Sequence, residues 1–138
     1  VNERAGAADV VVMAAAVADF RPVEVSPEKI KKTEGIPDIH LEPTPDILNE
    51  LGSSKNGTVL VGFAAETEEH VKHGLEKLKS KNLDLIVVNP VSGPDSAFDS
   101  DMNHATIIDK SGTTEEIPLV SKSVMADKIL DRVVQLLT

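Results

Sequence analysis

The sequence contains no cysteine, tryptophan or tyrosine, and its aromatic residues are three phenylalanines. Without cysteine there is no disulfide framework, no thiol nucleophile and no zinc–thiolate site. This composition fits a reducing compartment, and we expect a cytoplasmic protein. No apolar run is long enough to span a bilayer, and no segment has the pattern of a signal peptide. We therefore expect no association with a membrane.

Positive charge is also scarce, because 14 lysines and arginines stand against 23 acidic residues in 138, giving a formal net charge of -9. A surface that binds nucleic acid or anionic lipid needs net or clustered positive charge, so neither partner is expected. The basic residues are concentrated in segments 29–32 and 72–81. Local basic patches on an acidic protein favour a small anion over a polymer.

Apolar runs alternate with amphipathic segments along the first two thirds of the chain. Continuous apolar runs at residues 9–16, 58–65 and 83–89 predict strands buried on both faces. One helix is expected from Thr44-Pro45-Asp46 to about Gly52, and another from a Thr67 cap to about Lys81, with Asn82 as its stop. This alternation predicts an α/β fold, a Rossmann-like three-layer sandwich around a mainly parallel sheet.

The last third of the chain predicts a different pattern. Residues 105–108 and 116–119 flank Ser111-Gly112-Thr113, which predicts an antiparallel hairpin. A final amphipathic helix follows its Ser121 cap, and its apolar face is expected to consist of Val124, Ile129, Val133 and Leu137.

Residues 23–43 contain three prolines and no helical period, which predicts an extended arm. Such a segment exceeds the about 12–15 unstructured residues that are usual within a compact domain. An arm that crosses to a second subunit would explain its length. We expect residues 1–138 otherwise to form a single domain. Asn2-Glu3-Arg4 predicts the end of a helix already under way, and we expect an N-terminal part to be missing.

Ligands of doubly wound sheets bind at the carboxyl ends of the strands. The first apolar run ends in small residues, 14–16, which let a ligand approach the backbone, and the cationic segment 29–32 indicates that the ligand is an anion. Phe20 and Phe63 lie just past apolar runs, and Phe98 lies in the loop after the third. Each fits a plug at the end of the core, and together they also fit stacking on a base.

The polar candidates likewise keep two interpretations each. Asp19 can hold a magnesium ion or ribose, or cap the following turn. The helix start at Thr44 can present free amides to an anion or base edge, or be ordinary capping. Lys77 and Lys81, four residues apart, can bind a triphosphate or interact with the helix dipole. The residues alone leave three possibilities open: an enzyme that acts on a nucleotide or phosphorylated metabolite, a noncatalytic nucleotide-binding or regulatory module, and an interaction scaffold.

Five segments, in chain order, carry a resemblance to one family: residues 14–22 (Ala-Ala-Ala-Val-Ala-Asp-Phe-Arg-Pro), 29–32 (Lys-Ile-Lys-Lys), 44–48 (Thr-Pro-Asp-Ile-Leu), 61–67 (Val-Gly-Phe-Ala-Ala-Glu-Thr) and 81–89 (Lys-Asn-Leu-Asp-Leu-Ile-Val-Val-Asn). So ordered, they resemble the phosphopantothenoylcysteine synthetase domain, usually the C-terminal half of the bifunctional coenzyme A biosynthesis flavoprotein. The family's first strand, glycine-rich loop and following asparagine–serine segment have no counterpart here, and Thr44 stands where the family usually has asparagine.

The resemblance implies a CTP-dependent ligase that joins 4'-phosphopantothenate to L-cysteine through an acyl-cytidylate, giving 4'-phosphopantothenoylcysteine. It implies Mg²⁺ bound with CTP, and a homodimer whose exchanged arms complete each site with the partner's lysines. FMN would belong to a separate fused flavin decarboxylase domain and not to this one.

The resemblance also implies roles for individual residues. Lys29 would be catalytic, lying over the acyl-phosphate. Asp19 would hold the metal ion, and Ala15 would contribute through its backbone. The full set of implied nucleotide contacts is Ala15, Asp19, Lys29, Thr44, Pro45, Asp46, Ile47, Phe63, Lys77 and Lys81.

Overall fold

The structure is a computed structural model that describes residues 1–31, 35–90 and 101–138. The chain divides into two compact units. The larger unit consists of Val1–Ala14 and Ile47–Thr138, and the smaller unit is Ala15–Asp46. The predicted loop 92–100, with Phe98, lies outside the described residues, as does Lys32.

Four helices and seven strands follow one another in the described residues: α1 Asn2–Ala5, β1 Val10–Met13, β2 Phe20–Pro22, β3 Leu41–Pro43, α2 Ile47–Ser54, β4 Val59–Glu66, α3 His70–Ser80, β5 Leu85–Pro90, β6 Met102–Asp109, β7 Thr114–Ser121 and α4 Lys122–Leu137. The larger unit holds a five-stranded sheet of order β1-β4-β5-β6-β7. Its first three strands are parallel, and β6 and β7 form the antiparallel hairpin. The predicted Rossmann-like fold class is confirmed.

Helices cover both faces of this sheet. Successive residues of β4 and β5 point to opposite sides, so each strand contributes side chains to both cores. On one face, Val61 and Val87 pack with Ile129 and Val133 of α4. On the other face, the buried side chains come from the strands and from α2 and α3: Leu51, Leu60, Leu78, Ile86 and Val88. Each fully buried side chain of this size contributes about 1.5–3 kcal/mol of hydrophobic free energy.

The first strand differs from its prediction. Residues 9–16 were expected to form a strand buried on both faces, but β1 spans only Val10–Met13. Val12 remains 41 % exposed, because β1 pairs with β4 alone among the described strands. In the part of the chain that is described, β1 is therefore an edge strand.

Two helix starts also differ. α2 begins at Ile47, so Thr44 does not cap it. Glu69, and not Thr67, is the N-cap of α3, and it adopts the left-handed backbone conformation with φ 43°. The predicted stop at Asn82 is confirmed, because its φ of 51° ends the helical path.

The final helix begins as predicted, since the Ser121 Oγ accepts a hydrogen bond of 3.3 Å from the Val124 N–H. Its buried face differs from the prediction. Met125, Ile129 and Val133 are buried, whereas Val124 and Leu137 are about half exposed. The apolar residues of α4 therefore extend beyond the stripe that packs on the sheet.

In the smaller unit, β2 and β3 pair antiparallel, with Arg21 opposite Glu42. An ion pair of 2.7 Å joins these two side chains, and the Val23 N–H donates to the His40 carbonyl at 2.9 Å. The ends of the predicted arm are thus joined by a short ladder that the sequence analysis did not predict. None of the described residues of this unit is buried.

A glycine allows α2 to approach the end of α3. A Cβ on Gly52 would lie 1.9 Å from the Lys81 carbonyl oxygen, closer than any real contact. The Asn82 Nδ2 donates to the Gly52 carbonyl at 2.8 Å, which joins the two helices at the same point. Any side chain at position 52 would force the backbone apart.

We predict that Gly52→Ala lowers the free energy of unfolding by about 1–3 kcal/mol, the usual cost of overpacking. Urea denaturation monitored by circular dichroism measures it. Gly6→Ala is the matched control, because Gly6 has a helical φ of -64° and open space around it. Equal unfolding midpoints for the two variants would contradict the close approach.

Asp84 joins neighbouring strands at the amino ends of β4 and β5. Its backbone N–H donates to the Leu60 carbonyl at 3.0 Å, and its Oδ2 accepts from the Leu60 N–H at 2.9 Å and from the Lys55 Nζ at 2.8 Å. Lys110 approaches Oδ1 at 3.5 Å. Burial opposes ionisation, but the hydrogen bonds from Lys55 and Leu60 outweigh it and hold the pKa of Asp84 below its ordinary value.

The lowered pKa of Asp84 predicts a pH-dependent contribution to stability. A carboxyl with a depressed folded-state pKa stabilises the fold above its unfolded pKa of about 3.9, and this contribution is lost as the pH falls through the folded value. Asp84→Asn should therefore lower the free energy of unfolding by roughly 1–3 kcal/mol at pH 7. Below about pH 4, the difference in this free energy between the variant and the unaltered protein should narrow. Urea titrations across this range test it, with exposed Asp127→Asn as control. A difference independent of pH would refute it.

Candidate functional site

A cluster of ionisable side chains lies at the carboxyl end of β4. Glu66 is the last residue of this strand, and its side chain is 14 % exposed. The Lys77 Nζ donates to the Glu66 Oε1 at 2.6 Å, and the His73 Nδ1 lies 3.3 Å from the Oε2. We call Glu66, His73 and Lys77 the Glu66 cluster.

The cluster forms because of the alternation along β4. Even-numbered residues such as Leu60 and Ala64 face the α2–α3 side, and Glu66 continues this row. His73 and Lys77 lie four residues apart on α3, so both reach the same carboxylate. The sequence analysis did not identify Glu66 or His73 as site residues. A signal was present, because an acidic residue ends the apolar run of β4 and the following helix has His73 and Lys77 four residues apart.

The hydrogen bond from Lys77 is the main reason that the pKa of Glu66 lies below its ordinary value, since burial acts in the opposite direction and His73 adds a smaller effect. Glu66 is therefore an anion at neutral pH. The ammonium of Lys77 carries three N–H donors, of which this bond uses one. Because Lys77 is 46 % exposed, its ammonium remains accessible to an anion from solvent.

Lys81 lies one turn beyond Lys77, at the C-cap of α3. Its N–H donates to the Lys77 carbonyl at 3.0 Å, and its own carbonyl contacts Gly52. α3 runs antiparallel to β4, so its C-terminal end lies toward the amino edge of the sheet. The structure therefore brings Lys77 to the Glu66 cluster and places the backbone of Lys81 about 6 Å further along the helix.

Phe63 and Ile47 have core positions in the larger unit. Phe63 lies on the face of β4 opposite Glu66, partly buried against the core under α4. Ile47, the first residue of α2, is partly buried against the core on the other face. For Phe63 this placement matches the alternative of a core plug.

Six of the predicted nucleotide contacts belong to the smaller unit: Ala15, Asp19, Lys29, Thr44, Pro45 and Asp46. The Thr44 N–H donates to the Asp19 carbonyl at 2.9 Å, and its hydroxyl donates to the Ala18 carbonyl. The Val17 N–H donates to the Ala15 carbonyl at 3.1 Å. Thr44 thus fixes the backbone around Asp19 instead of capping α2.

Lys29 also belongs to the smaller unit, on the long connection between β2 and β3. It is exposed, and the nearby Ser26 hydroxyl donates to the Glu28 carbonyl at 2.7 Å, which orders the turn just before it. Such an exposed lysine on a loop is accessible to a ligand or a partner.

Asp19 is a single exposed carboxylate, and the described ranges contain no group of three or more acidic or histidine side chains placed to hold a metal. One carboxylate fits Mg²⁺, which usually binds through one or two carboxylates together with substrate phosphates and water. Among the described helices, none has the length and apolarity needed to cross a bilayer.

Comparison with known proteins shows the family. Residues 1–137 match the model of the DNA/pantothenate metabolism flavoprotein C-terminal domain, and the chain belongs to this family. The family resemblance drawn from the sequence is thereby confirmed.

Two curated relatives are similar over most of the chain. The coenzyme A biosynthesis bifunctional protein CoaBC of Bacillus subtilis is 44 % identical over 130 residues, 94 % of this chain and 32 % of the relative. A cysteine/cysteine sulfinic acid decarboxylase from an unknown prokaryotic organism is 43 % identical over 129 residues, 93 % of this chain and 36 % of the relative. The chain therefore spans about a third of the length of these relatives.

Solved structures are similar as well. The C-terminal domain of a coenzyme A biosynthesis bifunctional protein CoaBC matches with a TM-score of 0.78 and 34 % identity, over 99 % of this chain and 58 % of that one. A Cab2 variant, solved in complex with phosphopantothenate-cysteine, matches with a TM-score of 0.65 over 90 % of this chain and 44 % of that one. At 18 % identity, the second likeness concerns the fold alone.

Proposed function

We propose that this chain is the CTP-binding part of a ligase that joins 4'-phosphopantothenate to L-cysteine. The observation that carries this proposal is the 44 % identity with the Bacillus subtilis coenzyme A biosynthesis protein across nearly the whole chain. The half-exposed Lys77 at the carboxyl end of β4 supports it, because this is the edge where such sheets bind nucleotides.

The proposed reaction has two steps. The carboxylate of 4'-phosphopantothenate attacks the α-phosphorus of CTP, and the bond to pyrophosphate breaks, which leaves an acyl-cytidylate. The amine of cysteine then attacks the acyl carbon, loses a proton and displaces CMP, which forms the amide. Lys77 and Lys81 neutralise the outer phosphates in this scheme, and Lys29 stabilises the charge that develops as cysteine attacks.

The smaller unit supplies the remaining proposed contacts. Its backbone around Ala15 and Thr44 would read the edge of the cytosine. The Asp19 carboxylate would hold Mg²⁺, which neutralises phosphate charge when it is bound with CTP. Thr44 already orders this backbone through its two hydrogen bonds to Ala18 and Asp19.

We predict that CTP with magnesium raises the melting temperature of the full-length protein more than ATP, GTP or UTP does. Replacing both Lys77 and Lys81 by alanine should weaken CTP binding about tenfold or more and CMP binding by less than about twofold, because the lost contacts are to the outer phosphates. Calorimetry measures both affinities.

Lys79→Ala on the same helix is the matched control for charge. Equal stabilisation by ATP would rule out the assignment of CTP, and equal losses for CTP and CMP would rule out the phosphate role. Binding of CTP without amide formation would instead favour a noncatalytic nucleotide-binding or regulatory module.

We further propose that the protein is a twofold homodimer with exchanged arms. Support comes from the smaller unit, where none of the described side chains is buried and many large apolar ones are exposed: Val17, Phe20, Val23, Val25, Ile30, Ile36, Ile39 and Leu41. Exposed apolar surface of this extent is typical of an interaction site. A second copy of the chain would cover it.

Arm exchange predicts complementation between two impaired variants, Lys29→Gln and the Lys77→Ala/Lys81→Ala double variant, assayed at a CTP concentration too low for the double variant to bind CTP. In a mixed dimer, one site would combine the intact arm of one subunit with the intact helix of the other. After equal mixing and reassociation, about half of the dimers are mixed, and each mixed dimer has one intact site out of two. The mixture should therefore recover about one quarter of the unaltered activity. Phosphopantothenoylcysteine formation is the readout. A mixture that stays as inactive as its components, although light scattering shows mixed dimers, would refute the exchange.

A further inference from the structure

The family resemblance implies no role for Glu66. Within the Glu66 cluster, however, its ion pair with Lys77 is the shorter of the two. Its Oε1 lies 2.6 Å from the Lys77 Nζ, and its side chain is only 14 % exposed. A second ion pair on α3, between Glu69 and Lys72, spans 3.0 Å, but both of its side chains are at least 60 % exposed. Exposed pairs of that kind contribute little, whereas a shielded carboxylate interacts more strongly with its partner.

We propose that Glu66 is a positioning residue that holds the Lys77 ammonium at the carboxyl end of β4, ready for the outer phosphates of CTP. This inference rests on the proposed function. A free lysine side chain has four rotatable bonds and loses considerable conformational entropy when a ligand immobilises it. Because Glu66 is anchored on a strand, it orders this side chain before the nucleotide arrives.

The geometry leaves Lys77 able to bind phosphate. Glu66 uses one of the three N–H donors of the ammonium, and Lys77 is 46 % exposed. His73 lies 3.3 Å from the other oxygen of Glu66, so each carboxylate oxygen has a partner on α3. The carboxylate therefore orients the ammonium without enclosing it.

A double-mutant cycle in the full-length protein tests this role. Glu66→Ala should weaken CTP binding about tenfold and leave CMP binding unchanged, because only the outer phosphates contact Lys77. In the Lys77→Ala background, Glu66→Ala should have no further effect on CTP binding, since the side chain that Glu66 positions is gone. Isothermal titration calorimetry gives the four dissociation constants.

Two further variants make the test specific. Glu66→Gln keeps an oxygen acceptor for Lys77 and should bind CTP within about threefold of the unaltered protein. Glu69→Ala breaks the exposed pair with Lys72 and should leave CTP binding unchanged. Additive effects of Glu66→Ala and Lys77→Ala, or an equal loss in Glu69→Ala, would overturn the positioning role.

The two levels of the proposal fail differently. If the unaltered protein does not bind CTP, both the proposed function and this inference are wrong. If CTP binds and Lys77→Ala weakens it while Glu66→Ala does not, only the role of Glu66 is wrong. Should Glu66→Ala fail to fold, Glu66→Met, which also removes the acceptor for Lys77, completes the cycle with and without Lys77→Ala. A loss of CTP binding in Glu66→Met that persists without Lys77 would overturn the inference.

Discussion

Asp84 joins the amino ends of the central strands, and the arrangement of the larger unit depends on this junction. The residue exchanges hydrogen bonds with Leu60 through its backbone and its carboxylate, and its carbonyl accepts from the Lys110 N–H at 3.1 Å. A slip of one residue between paired strands would turn every side chain to the opposite face. The hydrogen bonds between Asp84 and Leu60 belong to the register in which Glu66 faces α3 and Phe63 faces α4.

The basic segment on α3 is less positive than its composition suggests. Lys77 is paired with Glu66 and Lys72 with Glu69, so two of its lysines are opposed by carboxylates at 3.0 Å or less. The chain has a net charge of -9, and its paired lysines create no large local excess of positive charge. A paired lysine that is partly exposed can still donate hydrogen bonds to an anion. The two pairs differ in the burial of their carboxylates, since the Glu66 side chain is 14 % exposed and that of Glu69 is 62 % exposed.

Much of the larger unit could be predicted from the sequence. The apolar runs at residues 58–65 and 83–89 correspond to β4 and β5, because strands buried on both faces require nearly continuous apolar residues. Asn82 and Ser121 were correctly assigned as a helix stop and a helix cap, since both act through local backbone geometry. Thr67 was wrongly assigned as a cap, because the backbone at Glu69 is set by the turn into α3.

The sequence by itself determined the fold class and the family, because strand periodicity, capping and the five ordered segments are written in neighbouring residues. It also determined that the basic residues cluster around positions 29 and 77. Only the tertiary structure decided that Glu66 reaches Lys77, that Thr44 fixes the backbone at Asp19, and that β1 is an edge strand in the described sheet. These features depend on the register of strands and on contacts between residues distant in sequence, and no local pattern encodes such distances.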